Sequence, residues 1–565
     1  MVHAPASGRP APARLRAPRP ASSTSPVTRL PVEILALVFH QLWAAHTALR
    51  PRLDIETWPW QTSLCLAIIA VSHVSRQWRQ IALALPVLWS RADDQNGHHI
   101  RLFLNRSRTA PLDLAVCLSI THPGISHSDL DALLVAASPR LRRFDVRLEA
   151  VHLPRLDFAG PTLEALTIQC EKSSSVELAP HPVLFRGQTT SLRALALLHV
   201  RHWLPGNHFP NLVHLNISYF FQEELSLASL TLLLRNCPRL ETLHYGQIWS
   251  YLVRELVLDP PVTPVALPHL RSLTTCCATM QTAAALLSCI TFDPIPMHPV
   301  RVRIHDAVVQ AHTDVGDNHL PSLRFLGPIA RLELAADPSR AYVLVESHGQ
   351  TPNSAAAGEN SPSALWIQAE FQAKRTTAWL LALFDVLDLS ALDVLHVSSA
   401  DWSFLPALLR RAPELNTLGV MALPDAEPTH AAMFITLTDT LLASHDAYLP
   451  SLSTLSVQAP PSPTHAASLA RLAARRADMG FRLTRLVFDG VPVPVSTHPA
   501  PPSPLDARRW AAVRTTLQGT LQHVGVLAVG QGGACAWAHP HGWDAENPYW
   551  RLPEGDEPRC SFPWR

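Results

Sequence analysis

Two kinds of apolar periodicity divide this chain. Between Leu30 and Trp89 the apolar positions recur at helical spacing. Ile34, Leu35, Val38 and Leu42 form a first set, Leu66, Ile69, Ala70, His73 and Val74 a second, and Trp78, Ile81, Ala82 and Leu85 a third that stops before Pro86. Pro31 suits the first turn of a helix, where a missing N–H costs nothing, and Glu33 stands near the positive end of that helix dipole. Three short helices with wide apolar faces, within about 60 residues, cannot bury everything among themselves. Surplus apolar surface implies a partner.

Beyond Phe103-Leu104 and the strand-like Ala110-Pro111-Leu112-Asp113-Leu114, the pattern changes to a cadence, Pro-x-Leu-x-x-Leu-x-apolar. It runs Pro139-Leu141-Phe144-Val146, Pro161-Leu163-Leu166-Ile168, Pro210-Leu212-Leu215-Ile217, Pro238-Leu240-Leu243-Tyr245, Pro413-Leu415-Leu418-Val420 and Pro450-Leu452-Leu455-Val457. Weaker copies stand at Leu192-Leu195-Leu197, Leu270-Leu273, Leu323-Leu326, Leu392-Leu395-Val397 and Leu483-Leu486-Phe488. The alternating tail predicts a short strand. The apolar run Leu225 to Leu234, closed by Asn236-Cys237-Pro238, predicts a helix ended by proline.

One strand and one helix per period, unable to close a core alone, is the logic of a leucine-rich solenoid with stacked parallel strands. The asparagine usual after such a strand is missing from most copies, and α/β units in a doubly wound sheet would give the same alternation. The expected fold class is α/β: a three-helix module over 28–92 with an insertion at 43–63, then an irregular leucine-rich-repeat-like solenoid over 100–493. Ser347 to Ser363 is polar and predicts a surface loop. Pro494 to Pro504 is proline-dense and predicts a linker, and 505–565 should cap the solenoid, with a helix over Ala507 to Leu521 and a strand over Val524 to Val529.

Composition narrows the function. A hydrophobic share of 47% in 565 residues supports a sizeable core, and a formal charge of +1 gives no overall drive toward nucleic acid or acidic lipid. The apolar runs at Leu64 to Val71 and Leu380 to Leu383 fall short of the about 20 residues a bilayer span needs. Nine scattered cysteines read as reduced thiols of the cytosol or nucleus. Residues 1–27 are rich in Pro and Arg, and Pro10, Pro12, Pro18 and Pro20 break any targeting helix there, so a disordered tail is expected.

Motifs for bond chemistry are missing. Gly530, Gly532 and Gly533 follow an apolar run without the Lys-Ser/Thr of a phosphate loop, and no Gly-x-Ser-x-Gly elbow occurs. Cys535, His539, His541 and Cys560 lack a recognisable zinc spacing. No cofactor, metal or catalytic residue is expected. Lysine occurs only at Lys172 and Lys374.

The first segment resembles the F-box, in its fungal form. Leu30-Pro31, Glu33-Ile34-Leu35, Phe39 and Leu42 are similar to its first helix. Val71-Ser72, Val74-Ser75, Trp78-Arg79, Ile81-Ala82, Pro86 and Leu88-Trp89 are similar to its second half. The sequence departs at Trp43 to Ser63, where Trp58, Pro59 and Trp60 stand in place of a short loop, and at Ser75, where cysteine is common.

The resemblance implies docking on a Skp-family adaptor, and through it a cullin-RING ubiquitin ligase. Leu30, Pro31, Glu33, Ile34, Leu35, Phe39, Leu42, Val74, Trp78, Ile81, Pro86, Leu88 and Trp89 would be the adaptor-binding residues. The repeats would present an unidentified protein target. An interaction scaffold with a vestigial F-box is the alternative, and a helical set that packs only within a larger fold would show the same periodicity.

Overall fold

The computed structural model describes residues 30–48, 53–54, 64–93, 97–118, 127–170, 181–200, 203–219, 226–247, 263–276, 279–292, 299–309, 323–348, 362–371, 375–422, 427–442, 449–490, 504–530 and 550–551. The expected tail 1–27, most of the insertion and linker, and the zinc candidates Cys535, His539, His541 and Cys560 lie outside them.

Three helices open the chain: α1 (Val32–Ala48), α2 (Leu64–Ser72) and α3 (Arg76–Ala84), followed by a 3-10 turn at Pro86–Trp89. Helix α1 starts one residue after Pro31, whose carbonyl accepts from Leu35 N at 3.1 Å, and it runs on into the expected insertion as far as Ala48. Ser75 caps α3, its Oγ accepting from Trp78 N at 3.1 Å. A serine suits this position because its oxygen satisfies a first-turn N–H.

The rest is mixed α/β, built on one large, mostly parallel sheet. Its strands are β1 (Arg91–Asp93), β2 (Leu112–Cys117), β3 (Leu141–Leu148), β4 (Ala165–Cys170), β5 (Ala194–Val200) and β6 (His214–Tyr219). Next come β7 (Thr242–Gln247), β8 (Ser272–Cys276), β9 (Arg301–Val309), β10 (Ile329–Ala336), β11 (Arg340–Ser347) and β12 (Ala364–Phe371). The last are β13 (Val394–Ser399), β14 (Thr417–Met421), β15 (Thr454–Gln458), β16 (Leu483–Asp489) and β17 (Val524–Val529).

From β1 to β9 each strand pairs parallel with the next in sequence, and so do β13 to β17. Between these runs β9 pairs with β12, β10 with β13, and β11 lies antiparallel between β10 and β12. The pairings form one ladder, and its end strands β1 and β17 do not pair with each other among the described residues. Steady stepping in one direction keeps right-handed connections on a single face.

The hydrophobic cadence falls on this register. Phe144, Leu166, Leu195, Leu215, Leu243, Leu273 and Val302 are successive cross-strand partners, as are Leu395, Leu418, Leu455 and Leu486 further on. A second row two residues along carries Val146, Ile168, Leu197, Ile217, Tyr245, Thr275 and Ile304. All of these are buried. A period of two puts both rows on one face, where the connecting segments cover them. Phe144 meets Phe158 of the turn before β4, and Phe488 meets Trp510 of the helix at Pro504–Gln518.

Several expectations need correction. Leu323-Leu326 is not a strand start: Leu326 closes a 3-10 turn, Gly327 takes φ +59°, and the strand begins at Ile329. Pro504 opens a helix instead of ending a linker. The polar stretch expected as a loop from Ser347 begins with the last residue of β11 and ends in Ser363, whose Oγ accepts from Val300 N at 3.1 Å, while 349–361 lie outside the described residues. The hairpin of β10 and β11 was not foreseen. Asp337 closes it, its Oδ1 accepting from Ser339 N at 2.6 Å and Arg340 N at 2.8 Å, as an Asp-Pro-Ser turn allows.

The boundary expected between residues 92 and 100 is no break in packing. Trp89 is fully buried, donates from Nε1 to Ala82 O at 2.7 Å, and lies edge-on to Phe103 at 4.9 Å. One continuous core runs from Leu35 to Val524. Part of the apolar surplus of the helical module is thus covered by its own chain.

Candidate functional site

Two surfaces stand out, one on the helical module and one on the sheet. On α1 the side chains fall into two apolar stripes. Leu35 and Phe39 are both 1% exposed and face α3 and the turn after it, where Phe39 meets the Trp78 ring edge-on at 5.1 Å. The other stripe faces outward: Ile34 44%, Val38 39% and Leu42 48% exposed at i, i+4 and i+8, with Leu37 beside them. Val74, between α2 and α3, and Val32 are exposed as well. Single exposed apolar residues mean little; here they run along one helix as a continuous uncovered stripe.

Of the residues expected to bind an adaptor, Pro31, Glu33, Ile34, Leu42 and Val74 are exposed, while Leu30, Trp78 and Pro86 are half-buried. Leu35, Phe39, Ile81, Leu88 and Trp89 are interior and so do not form that surface. The reason is geometric: α3 and the Pro86–Trp89 turn close over α1, and the largest apolar groups fill the space between them. They hold the face in shape. Leu37 was missed, although it stands three residues after Ile34 and so belongs to the same side of the helix.

Cations border the module. Arg106 places its guanidinium carbon 4.3 Å over the Trp89 ring, and Arg91 sits 5.4 Å over that of Trp43. Burial lowers the pKa of both, with Arg79 adding to the effect at Arg106.

The second surface is the sheet face opposite the leucine rows. In register across it stand Asp145, Thr167, Ala196, Asn216, His244, Thr274, Arg303 and Trp366. Polar residues occupy it, yet most are buried, among them Asn216, Ser218, Ser398 and Gln458. Desolvation, reinforced by Arg303 and His305, lowers the His244 pKa to about 4, and desolvation with Arg193 does the same at His214. Both imidazoles are neutral near pH 7.

Toward the other end Glu333 pairs with Arg331 and lies 3.5 Å from His396 Nδ1. Sequence reasoning named none of these inward positions, because it followed the apolar rows; the residues between the cadence leucines carried the signal.

Among the described residues no group of three or more His, Cys, Asp or Glu side chains is placed to hold a metal ion. The described cysteines Cys117, Cys170, Cys237, Cys276 and Cys289 are buried and in no disulfide, and burial pushes the Cys237 thiol far up. No helix of the described residues is long and apolar enough to cross a membrane. No protein-family model and no curated protein matches the chain.

Proposed function

We propose that this chain is a substrate receptor of a Skp-cullin-F-box-type ubiquitin ligase. Residues 30–89 dock an adaptor, and the sheet, read as an irregular leucine-rich-repeat-like solenoid, presents a protein target. The observation that carries the reading is the outward stripe of Ile34, Leu37, Val38 and Leu42 on a helix whose other stripe is already buried. An amphipathic helix with anchors at i, i+4 and i+8 fits a hydrophobic groove. Truncating such anchors costs most where they cluster at the centre of an interface.

The F-box resemblance supplies the identity of the groove, and the adaptor and its cullin-RING assembly are the partners. The chain performs no bond chemistry in this reading. It raises the local concentration of target lysines near a conjugating enzyme that other subunits bring. A cytosolic or nuclear setting follows from such partners.

Co-elution of the full chain with a purified Skp-family adaptor on gel filtration tests this. The wild type should co-elute, and Ile34→Asp combined with Val38→Asp and Leu42→Asp should abolish co-elution while leaving the unfolding midpoint unchanged. Co-elution of the triple variant, or none of the wild type, refutes the reading. The latter result, with a target still bound, favours a scaffold outside ubiquitination.

A further inference from the structure

We propose that the open edge of β17 takes an extended, acidic peptide segment of the target as an added strand, its carboxylates meeting Arg485 and Arg514. The proposal rests on the receptor reading and places the target site at the far end of the sheet.

The two ends of the ladder differ. At the near end β1 has three residues, Ala92 and Asp93 are buried, and Arg91 pairs with Asp113 and lies over Trp43 of the helical module. At the far end β17 has six residues, Val-Gly-Val-Leu-Ala-Val, and pairs only with β16 among the described residues. It carries no charge and no proline, the usual devices that keep an edge from pairing. Gly525 is exposed, and so is Val526, at 53%.

The register says which backbone groups are open. Gly530 N donates to Phe488 O at 3.0 Å, and Phe488 is the cross-strand partner of Val529. Alternate residues of a strand turn their N–H and C=O groups to opposite sides. Inward bonding at Gly530 therefore leaves those of Gly525, Leu527 and Val529 pointing away from β16. Such a row of donors and acceptors is the template on which an extended peptide adds as a strand.

Charge sets the character of that strand. Arg485 is the register partner of Val526 and so lies beside it on the same face. Arg514 brings Nη2 to 3.6 Å from where a Cβ on Gly530 would stand, just past the strand's end. Both arginines are exposed, and among the described residues neither makes an ion pair or hydrogen bond. Arg482, by contrast, is engaged with the Val524 carbonyl at 3.1 Å.

The carboxylate on this strand pair is Asp489, which is buried and accepts from Gly490 N at 2.9 Å. Over 463–530 the chain carries eight arginines and three aspartates with no lysine or glutamate, although its formal charge as a whole is +1. The other two aspartates belong to the helices Pro463–Asp478 and Pro504–Gln518 and not to the sheet. An open edge between two such cations favours a strand that brings acids to them. A polyanion without peptide groups would meet the charge and leave the backbone row unpaired.

The test selects phage-displayed random dodecapeptides on the immobilised full chain without adaptor. Enriched peptides should carry Asp or Glu beside alternating apolar residues. In one synthetic enriched peptide, N-methylation of every second residue should weaken binding about tenfold or more in one frame and little in the other, because one edge of an added strand faces β17. Arg485→Gln combined with Arg514→Gln should weaken the peptide about tenfold and flatten its salt dependence. Leu527→Pro removes an outward N–H and should weaken it too. Circular dichroism melts that match the wild type show that the variants fold; should Leu527→Pro melt lower, the arginine pair and the two methylation frames decide.

No enrichment, enrichment without acidic residues, equal losses in both frames, or affinity unchanged in the folded double arginine variant overturns the proposal. So does displacement of the peptide by a random single-stranded DNA, or a dimer in light scattering that Leu527→Pro converts to monomer, which would assign the edge to a second copy. Adaptor co-elution is measured in parallel. Its loss in the wild type with peptide binding intact sinks the receptor reading alone, and the converse sinks this proposal alone.

Discussion

Thr275 provides a test of the sheet's alternation that can be worked in numbers. It occupies the second apolar row of β8, flanked in register by Tyr245 on β7 and Ile304 on β9. Its side chain is 1% exposed and its Oγ1 has no hydrogen-bond partner. Valine has the same branched shape without the hydroxyl. Removing an unpaired buried hydroxyl recovers its desolvation cost, about 1–3 kcal/mol, and adds a methyl contact.

Thr275→Val should therefore stabilise the chain by about 1–2 kcal/mol. Thr275→Ser keeps the hydroxyl and loses a methyl, and should cost about 1 kcal/mol. Urea unfolding followed by tryptophan fluorescence reads both as shifts of midpoint at constant slope. A lower midpoint for Thr275→Val than for the wild type would show that the hydroxyl is satisfied and that this position does not face the leucine side.

Other outcomes follow from single contacts. Ser75→Ala removes the cap of α3 and should lower stability by about 1 kcal/mol, read by the same urea titration. His214 and His244 bind protons with pKa values of about 4 in the folded chain against 6.5 for the ordinary side chain. The unfolded chain thus holds more protons between these values, and stability falls as pH drops from 6.5 through about 4 and is level above 6.5 as far as these groups are concerned. His244→Gln should flatten part of that slope in melts across pH. If the proposed ligase role holds, combining Lys172→Arg and Lys374→Arg with a blocked amino end should remove ubiquitin chains from this protein in a reconstituted reaction.

The sequence made many strands legible because a large apolar residue, most often leucine, stands two residues before a second apolar group, and the pairs Phe144–Val146, Leu166–Ile168, Leu195–Leu197, Leu215–Ile217 and Leu243–Tyr245 stack in register from β3 to β7. It marked the helix Leu227–Arg235, which Ser226 opens and Pro238 follows, while the helices Met280–Ser288 and Pro463–Asp478, which follow Thr279 and Ser462, were not marked. The hairpin of β10 and β11 escaped because Pro328 and Pro338, which lead the two strands, are followed two residues on by Ala330 and Arg340 where the cadence has leucine, and its cue was the turn Asp337-Pro338-Ser339.

The exposed apolar stripe of α1 was legible as a helix and obscure as a surface. Periodicity does not tell which of two apolar stripes on α1 turns inward. Leu35 and Phe39 face α3 because Trp78 and the Pro86–Trp89 turn stand there, which is tertiary information. The polar face escaped for a related reason: Asn216, His244 and Arg303 are far apart in sequence, and only the register of the ladder brings them into one row.

The claim that the outward stripe of α1 clasps an adaptor is tested most directly by hydrogen–deuterium exchange of the full chain with and without a purified Skp-family adaptor. Protection should appear over 32–42 and at Val74, with the strands Val394–Ser399 and Thr417–Met421 unchanged. Exchange over 32–42 that does not change on adding saturating adaptor would contradict it, and so would protection confined to the sheet.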